Sequence, residues 1–472
     1  MTTLDQHGNP MSGGTDAVTA YERATDALLR YSPAVIDGTT ELVEHHPQAP
    51  MGHALTAYLY LTSTDAPDVA VAKDAWSAMG SLPMHDREQA HHDAIGAWIG
   101  GDWHAASASL DALLQRWPTD LLALQIGHQL DFFLGDAGNL RDRPGRTLPE
   151  LDPSHPQTAF VRGMQSFGLE ESGDYGAAEA AGLAAVAVNP DDVWAIHAVT
   201  HVLEMQGRID EGIHFLSSRR DDWGAGNLFS VHNWWHLALY LLEAGNVDEA
   251  LAIYDAEVHH GDSAGVPLEM IDASALLWRL YLDGHDTGGR FEPLADSWAT
   301  RAGDRSWYVF NDLHLVMALV GAGRTAEAEQ HIGDLASYVH RNGAGTNVAM
   351  ATQIGLPASR AVLRFAQGRH QDVIGELAPI RRSLQRFGGS HAQRDVLQRT
   401  LLESALRAGH LDLARSLVAE RLSQREPSVY SWTQQARLEW DGDRDDSALK
   451  AERTAATYRR RFAAEPFSYT TA

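Results

Sequence analysis

The stretch TAFVRGMQSFGLEESGDYGAAEAAGLAAVAVNPDD, residues 158–192, contains the pattern that decides the fold. Apolar residues recur at helical spacing on both sides of Gly173, and Asp174 can cap a second helix. Ala178 is small where two helices must approach closely, and Pro190 stands where the second helix stops. The stretch therefore predicts two helices joined by a short turn, in which glycine supplies a positive φ.

Copies of this pattern recur along the chain, and each contains a turn glycine. Helix-turn-helix units repeated at about 34 residues are typical of tetratricopeptide repeats, and strand signals are almost absent. We therefore predict an all-α fold, a tetratricopeptide-repeat-like α-solenoid built as a superhelix of helix pairs. It should form one continuous unit over residues 17–465 with a central concave pocket, after a disordered N-terminus of residues 1–16. The turn glycines, 33 to 45 residues apart, are Gly101, Gly135, Gly173, Gly207, Gly245, Gly284, Gly323, Gly368, Gly409 and Gly442.

The composition limits the classes of partner. Asp and Glu total 63 against 37 Lys and Arg, and the formal charge of −26 repels phosphate backbones and anionic lipid headgroups. Neither nucleic acid nor membrane is therefore expected as a partner. The chain has no cysteine, so a metal would have to be held by His, Asp, Glu or backbone oxygen. No secretion signal or long apolar segment is present, which predicts a soluble cytoplasmic protein.

Two histidine pairs are unusual for such a chain. HAVTHVLE, residues 197–204, and HNWWH, residues 232–236, each place two histidines four residues apart. Spacings of four and three keep His197, His201 and Glu204 on one face of a helix. In tetratricopeptide repeats the first helix of each pair lines the concave side. That register implies inward positions for Trp194, His197, His201, Glu204, His232 and Trp235, with His236 beside them.

Two later segments carry further candidates for contacts with a bound molecule. FNDLHLVMAL, residues 310–319, places two polar residues about one helical turn apart. GGSHAQRDV, residues 388–396, is typical of a helix N-terminus, whose free N–H groups suit an anion. Together with two tryptophans, the predicted substrate-binding residues are Trp194, Trp235, Asn311, His314, His391, Gln393 and Arg394.

These segments resemble the tetratricopeptide repeat protein 38 family. The resemblance rests on HAVTHVLEMQGRIDEGIHFL, HNWWHLALYLLEAGNVDEALAIYD, ALLWRLYLDG, FNDLHLVMAL and GGSHAQRDV, which follow one another from about residue 190 to about residue 400. It implies the repeat architecture, and it assigns no activity, cofactor or substrate.

Metal binding is the first chemistry that the histidine pairs predict. His197, His201 and Glu204 form a set of two histidines and one carboxylate for a divalent zinc, iron or manganese ion. His232 or His236 could complete the shell. The sequence lacks the HExxH motif of zinc peptidases at both pairs, so the spacing does not specify one reaction.

Proton transfer without a metal is the alternative chemistry. A histidine oriented by a carboxylate is a competent general base near neutral pH, and a second histidine can act as the acid. The catalytic candidates are His201, Glu204, His232 and His236, with Arg394 holding a substrate carboxylate. Nucleophilic-serine, nucleotide and dinucleotide chemistry have no supporting motif.

Three functions therefore remain open. The first is an enzyme or receptor whose internal pocket binds a small molecule and transforms it in a hydrolase- or lyase-type reaction, with or without a metal. The second is a scaffold that binds a peptide or protein partner in an open groove. A carboxylate-clamp groove would need Lys, Arg and Asn where this chain has His, Trp and Glu. The third is a structural array in which the histidines form a packing network.

Overall fold

The computed structural model describes residues 2–301, 306–463, 467 and 469. Two short strands at the N-terminus precede a series of helices. The strands are β1 (Thr2–Leu4) and β2 (Pro10–Ser12). The helices up to the centre of the chain are α1 (Thr15–Leu29), α2 (Ala34–His45), α3 (Pro50–Thr62), α4 (Asp68–Gly80), α5 (Asp86–Ile99), α6 (Trp103–Arg116), α7 (Leu121–Leu134), α8 (Ala137–Thr147), α9 (Gln157–Glu171), α10 (Tyr175–Val188), α11 (Val193–Met205), α12 (Ile209–Ser217) and α13 (Arg220–Trp223).

The second half of the chain continues the series. Its helices are α14 (Ser230–Ala244), α15 (Val247–Ile253), α16 (Pro267–Leu282), α17 (Phe291–Arg301), α18 (Val309–Gly321), α19 (Thr325–Asn342), α20 (Thr346–Met350), α21 (Leu356–Ala366), α22 (His370–Ile380), α23 (His391–Arg407), α24 (Leu411–Gln424), α25 (Val429–Asp441) and α26 (Asp445–Phe462). None of the described helices has both the length and the apolar character that a membrane crossing requires.

Every predicted turn glycine separates the two helices of one pair, from Gly101 between α5 and α6 to Gly442 between α25 and α26. Nine of the ten have φ between 66° and 87°, and beside the tenth, Asp443 takes a φ of 54°. The predicted all-α, tetratricopeptide-repeat-like solenoid is confirmed. Two earlier pairs, α1–α2 and α3–α4, lacked the glycine signal because Tyr31 and Thr64 supply positive φ values of 52° and 61°.

The described part of the N-terminus, from residue 2, is ordered, whereas the sequence predicts disorder over residues 1–16; residue 1 lies outside the described residues. β1 and β2 pair as an antiparallel hairpin, and Met11 is fully buried. The backbone N–H and the hydroxyl of Ser12 both donate to the Glu88 carboxylate at 2.7 Å, and Arg87 donates to the carbonyl of Pro10. These anchors lie more than 70 residues away in sequence. A polar, glycine-containing segment is ordered here because distant charged groups satisfy its backbone.

The superhelix closes on itself, so that late repeats cover the inner side of the central ones. α23 packs against α11 and α16, and α26 packs against α12 and α14. Arg425, directly after α24, donates to the backbone carbonyl of Glu204 at 3.0 Å, which ties the end of α24 to the end of α11. All residues of α11 from Val193 to Glu204 are buried. The expected concave pocket is therefore occupied by protein side chains.

Candidate functional site

The two histidine pairs meet at the contact between α11 and α14. Each pair is spaced by four residues, so both members lie on the same face of their helix. The ring centroids are 4.4 Å apart for His197 and His201, and 4.9 Å apart for His232 and His236. Across the two helices, the separations are 4.8 Å for His197 and His232 and 4.5 Å for His201 and His236. One ring nitrogen from each of the four lies within 4.8 Å of the others, which defines the four-histidine cluster.

Carboxylates fix the orientation of two of these rings. Nδ1 of His236 lies 3.0 Å from Glu204 Oε2, and Nδ1 of His232 lies 2.7 Å from Asp272 Oδ2. When the carboxylate is ionised it can only accept, so Nδ1 then carries the proton and donates it. The Nε2 atoms of both rings therefore present lone pairs. Nε2 of His232 forms a hydrogen bond of 3.2 Å with Nε2 of His197, which also brings two potential ligand atoms together.

The cluster is buried, and burial determines its charge. His197, His201 and His236 are at most 2% exposed, whereas the side chain of His232 is 14% exposed. Burial lowers the pKa of His197 and His236 well below the usual value, and it lowers that of His201 to about 4. These three imidazoles are therefore neutral at neutral pH, which is the state that binds a metal ion.

Several nitrogen atoms of the cluster lack a partner. No described residue forms a hydrogen bond with Nδ1 of His197, with Nε2 of His236 or with either ring nitrogen of His201. Each such buried polar atom costs free energy unless something binds it. Four such nitrogen atoms lie in this one cluster.

Aromatic rings enclose the cluster. The Trp235 ring stacks on His232 with a centroid separation of 5.2 Å, and the guanidinium of Arg279 lies 5.5 Å from the centre of the same indole. Trp194 lies 5.0 Å from His197, and Phe167 lies 5.3 Å from His201. Trp194 and Trp235 are thus walls of the cluster, buried among other side chains, and contact with a substrate remains a prediction for both.

Glu204 has a different place from the one expected. The predicted metal set of His197, His201 and Glu204 is not the set that the structure brings together, because Glu204 bonds to His236 from outside the cluster. The four groups that converge are His197 and His201 of the first pair with both His232 and His236 of the second pair. The i, i+3 spacing places Glu204 on the same face of α11 as His201 but one turn farther along, where its carboxylate contacts Nδ1 of His236.

The predicted anion site at the start of α23 is used by the protein itself. The backbone N–H of His391 donates to Glu171 Oε1 at 2.8 Å, and Arg394 donates to Glu171 Oε2 at 3.1 Å. Gln393 forms a capping box with Ser390. His391 and Arg394 therefore bind a carboxylate of α9, and contact with a substrate stays a prediction for them and for Gln393.

Asn311 and His314 lie outside the cluster. The Asn311 amide donates to the backbone carbonyl of Thr64 at 3.0 Å, and Nδ1 of His314 lies 2.7 Å from the carbonyl of Phe310. Among the described residues, no hydrogen bond, ion pair or ring contact joins either residue to the four histidines. The structure therefore does not group these two predicted substrate contacts with the rest of the candidate site.

Two important carboxylates were not predicted from the sequence. Asp272 lies on α16 at a position that the repeat register does not mark as inward. Glu170 lies at the end of α9, where its Oε2 is 3.5 Å from Nδ1 of His201. A signal for Glu170 existed, because it precedes Gly173 by three residues just as Glu204 precedes Gly207. Applying the register to every repeat would have found it.

The comparisons with known proteins give likenesses to solved structures at low identity and no family. No protein-family model matches the sequence. Similar solved structures include the human IFIT1 dimer with PPP-AAAA, at 13% identity and a TM-score of 0.35 over 97% of this chain and 95% of that one. Another is yeast Tom70, at 10% identity and a TM-score of 0.32 over 95% of this chain and 96% of that one. At such identities and TM-scores, the likeness says nothing about what this chain binds.

Proposed function

We propose that this protein holds one divalent transition-metal ion at His197, His201, His232 and His236. The observation that carries the proposal is the convergence of four imidazoles, of which the three most buried have lowered pKa values and nitrogen atoms without partners. Two ligands on a tetrahedral ion at about 2.0–2.1 Å are about 3.3–3.4 Å apart. The 3.2 Å between the Nε2 atoms of His197 and His232 agrees with that edge.

The surroundings of the four-histidine cluster fit an ion of this class. Imidazole nitrogen binds zinc, copper, iron and nickel. Zinc has no redox chemistry and is usually held by four ligands in a tetrahedral arrangement, so four histidines suit zinc best. Metal-bound histidines commonly donate their second N–H to a carboxylate, as His236 does to Glu204 and His232 does to Asp272. The two carboxylates also offset the charge of a divalent ion.

Metal content tests this proposal. Full-length protein purified without an affinity tag should contain about one transition-metal ion per chain by elemental analysis. The double variant His201→Gln, His236→Gln should contain none, because it removes two of four ligands. His314→Gln is the matched control, since His314 is also fully buried in a helix but lies outside the cluster. Wild-type protein that is folded, contains no metal and takes up none when zinc is added would contradict the proposal.

A second candidate function is metal-assisted transformation of a small molecule, with His201, Glu204, His232 and His236 in the catalytic roles predicted above. The observation that favours it is the 14% exposure of the His232 side chain, which lies in the first turn of α14. If a water or substrate can replace His232 on the ion, the site gains the open position that catalytic metal centres have. Four retained protein ligands would instead make it a closed site.

The two functions differ in their response to a small anion. In the cobalt(II) form of the protein, a closed four-histidine site should show no change in its visible absorption when azide is added. An open site should show a new spectrum at saturating azide, and His232→Ala should bind azide more tightly than wild type because it empties that position. An unchanged spectrum in both proteins would argue against the catalytic role.

We also propose that the chain is a member of the tetratricopeptide repeat protein 38 family. The five segments on which the resemblance rests lie in α11 with α12, α14 with α15, α16, α18 and α23, and in the turns beside them. α16 packs against α14, α18 and α23, and α11 packs against α14 and α23, so the segments meet around one centre. A peptide-binding groove is less favoured at these positions, because α23 covers the inner side of α11.

A further inference from the structure

We infer that Glu170 is the positioning carboxylate of His201, an inference that rests on the proposed metal site. Glu170 lies in the last turn of α9 and is fully buried. Its Oε2 is 3.5 Å from Nδ1 of His201, and neither of its oxygens has a hydrogen-bond partner within the described part of the chain. The contact is longer than a hydrogen bond and needs only a small rotation of either side chain to become one.

The neighbouring residue shows that this arrangement is specific to Glu170. Glu171 accepts hydrogen bonds from the backbone of His391 and from Arg394, both on α23. Consecutive carboxylates at the end of one helix thus point to different partners, one to α23 and the other to the four-histidine cluster.

With Glu170 included, three of the four histidines have a carboxylate at Nδ1. His232 has Asp272, His236 has Glu204, and His201 has Glu170. A proton held on Nδ1 by a carboxylate leaves the lone pair on Nε2. For His201, both nitrogens are otherwise without a partner, so Glu170 is the group that can select the tautomer in which Nε2 binds the ion.

A second cation between Glu170, Glu171 and His201 is the competing interpretation, since these three also lie within 4.8 Å of one another. Arg394 argues against it. The guanidinium is already 3.1 Å from Glu171 and supplies the positive charge that this carboxylate needs. A second divalent ion would then lie between that guanidinium and the first ion. One ion per chain and a hydrogen-bonding Glu170 therefore fit the charges better.

The test compares zinc affinity and stability in full-length variants. Zinc dissociation constants are measured by competition with a chromophoric chelator, and melting temperatures are measured on the metal-free proteins. In Glu170→Gln, the amide N–H can donate to Nδ1 of His201 and favour the wrong tautomer, so the zinc dissociation constant should rise about 10–100-fold. Glu170→Asp keeps a carboxylate and should recover part of that loss. The metal-free Glu170→Gln protein should melt at or above the wild-type temperature, because it lacks an unpaired buried carboxyl group.

Glu88→Gln is the matched control for a buried carboxylate with a purely structural role. Glu88 is fully buried and accepts hydrogen bonds from Ser12 and His85. Its loss should lower the melting temperature and leave zinc affinity unchanged. A Glu170→Gln protein that binds zinc as tightly as wild type does would overturn the inference. So would a wild-type protein that binds two ions when Glu170→Gln binds only one. A wild-type protein that binds no zinc overturns the proposed function as well, and that result is seen without any variant.

Discussion

Removing the bound ion with a chelator is expected to lower the free energy of unfolding of the wild-type protein by about 4 kcal/mol, relative to protein at a free-ion concentration 1,000 times the dissociation constant. The physical reason is that the ion binds only where α11 and α14 bring both histidine pairs together. Without it, neutral imidazoles remain buried with unpaired nitrogens. The measurement is a pair of denaturation curves, with and without chelator, supported by a fall of several degrees in melting temperature.

The chelator needs a control for effects unrelated to the four-histidine cluster. The variant His201→Gln, His236→Gln should unfold at the same denaturant concentration with and without chelator, because it has no ion to lose. It should also be close in stability to the metal-free wild type. An equal chelator effect on wild type and variant would mean that the ion, if any, is bound elsewhere in the chain.

Local patterns were sufficient to predict the repeats and the histidine pairs. A turn glycine with positive φ and helical apolar spacing are both properties of a short stretch of consecutive residues, and they recur together at nine of the described helix pairs. The i, i+4 spacing of His197 and His201 fixes their common face whatever packs against it. Periodicity therefore identified α11 and α14 as the helices that carry the candidate site.

Contacts between distant repeats could not be predicted in the same way. The sequence predicts an open concave side, yet α23 fills it, because the curvature of a solenoid depends on small rotations summed over many repeats. This closure turned Arg394 from an expected substrate contact into the partner of Glu171. It also left Asp272 unpredicted, since the partner of His232 depends on how α16 packs beside α14.

Removing one partner of the buried ion pair between Arg394 on α23 and Glu171 on α9 should lower the free energy of unfolding substantially. The Arg394 side chain is 10% exposed and that of Glu171 is 4% exposed, and the N–O distance is 3.1 Å. Arg394→Met removes the cation and leaves Glu171 buried beside Glu170. Breaking a buried pair from one side costs about 3–5 kcal/mol. Chemical denaturation should therefore show a loss of that size for Arg394→Met.

Arg415→Met is the control for the loss of an arginine on the surface. Its pair with Asp412 is exposed, with the aspartate side chain fully accessible, so the change should cost about 0–1 kcal/mol. The double variant Arg394→Met, Glu171→Gln should recover much of the loss, because it removes the carboxylate that Arg394→Met leaves without a cation. Equal effects of Arg394→Met and Arg415→Met would show that the buried pair contributes little.

The pH dependence of the stability of wild type and Arg394→Met tests whether Arg394 stabilises the fold through its charge. Burial alone would raise the pKa of Glu171, but Arg394 and His391 hold it below its usual value. Such a carboxylate stabilises the fold above its unfolded pKa, and the contribution is lost as the pH falls through the folded pKa. In Arg394→Met the pKa of Glu171 rises, because burial then acts unopposed by that cation. Between these two folded-state pKa values the variant binds a proton at Glu171 that the wild type does not bind, so the stability difference should shrink as the pH falls from above the usual pKa of a glutamate to below it. A difference that stays constant across this range would mean that Arg394 stabilises the α9–α23 contact by packing instead of by charge.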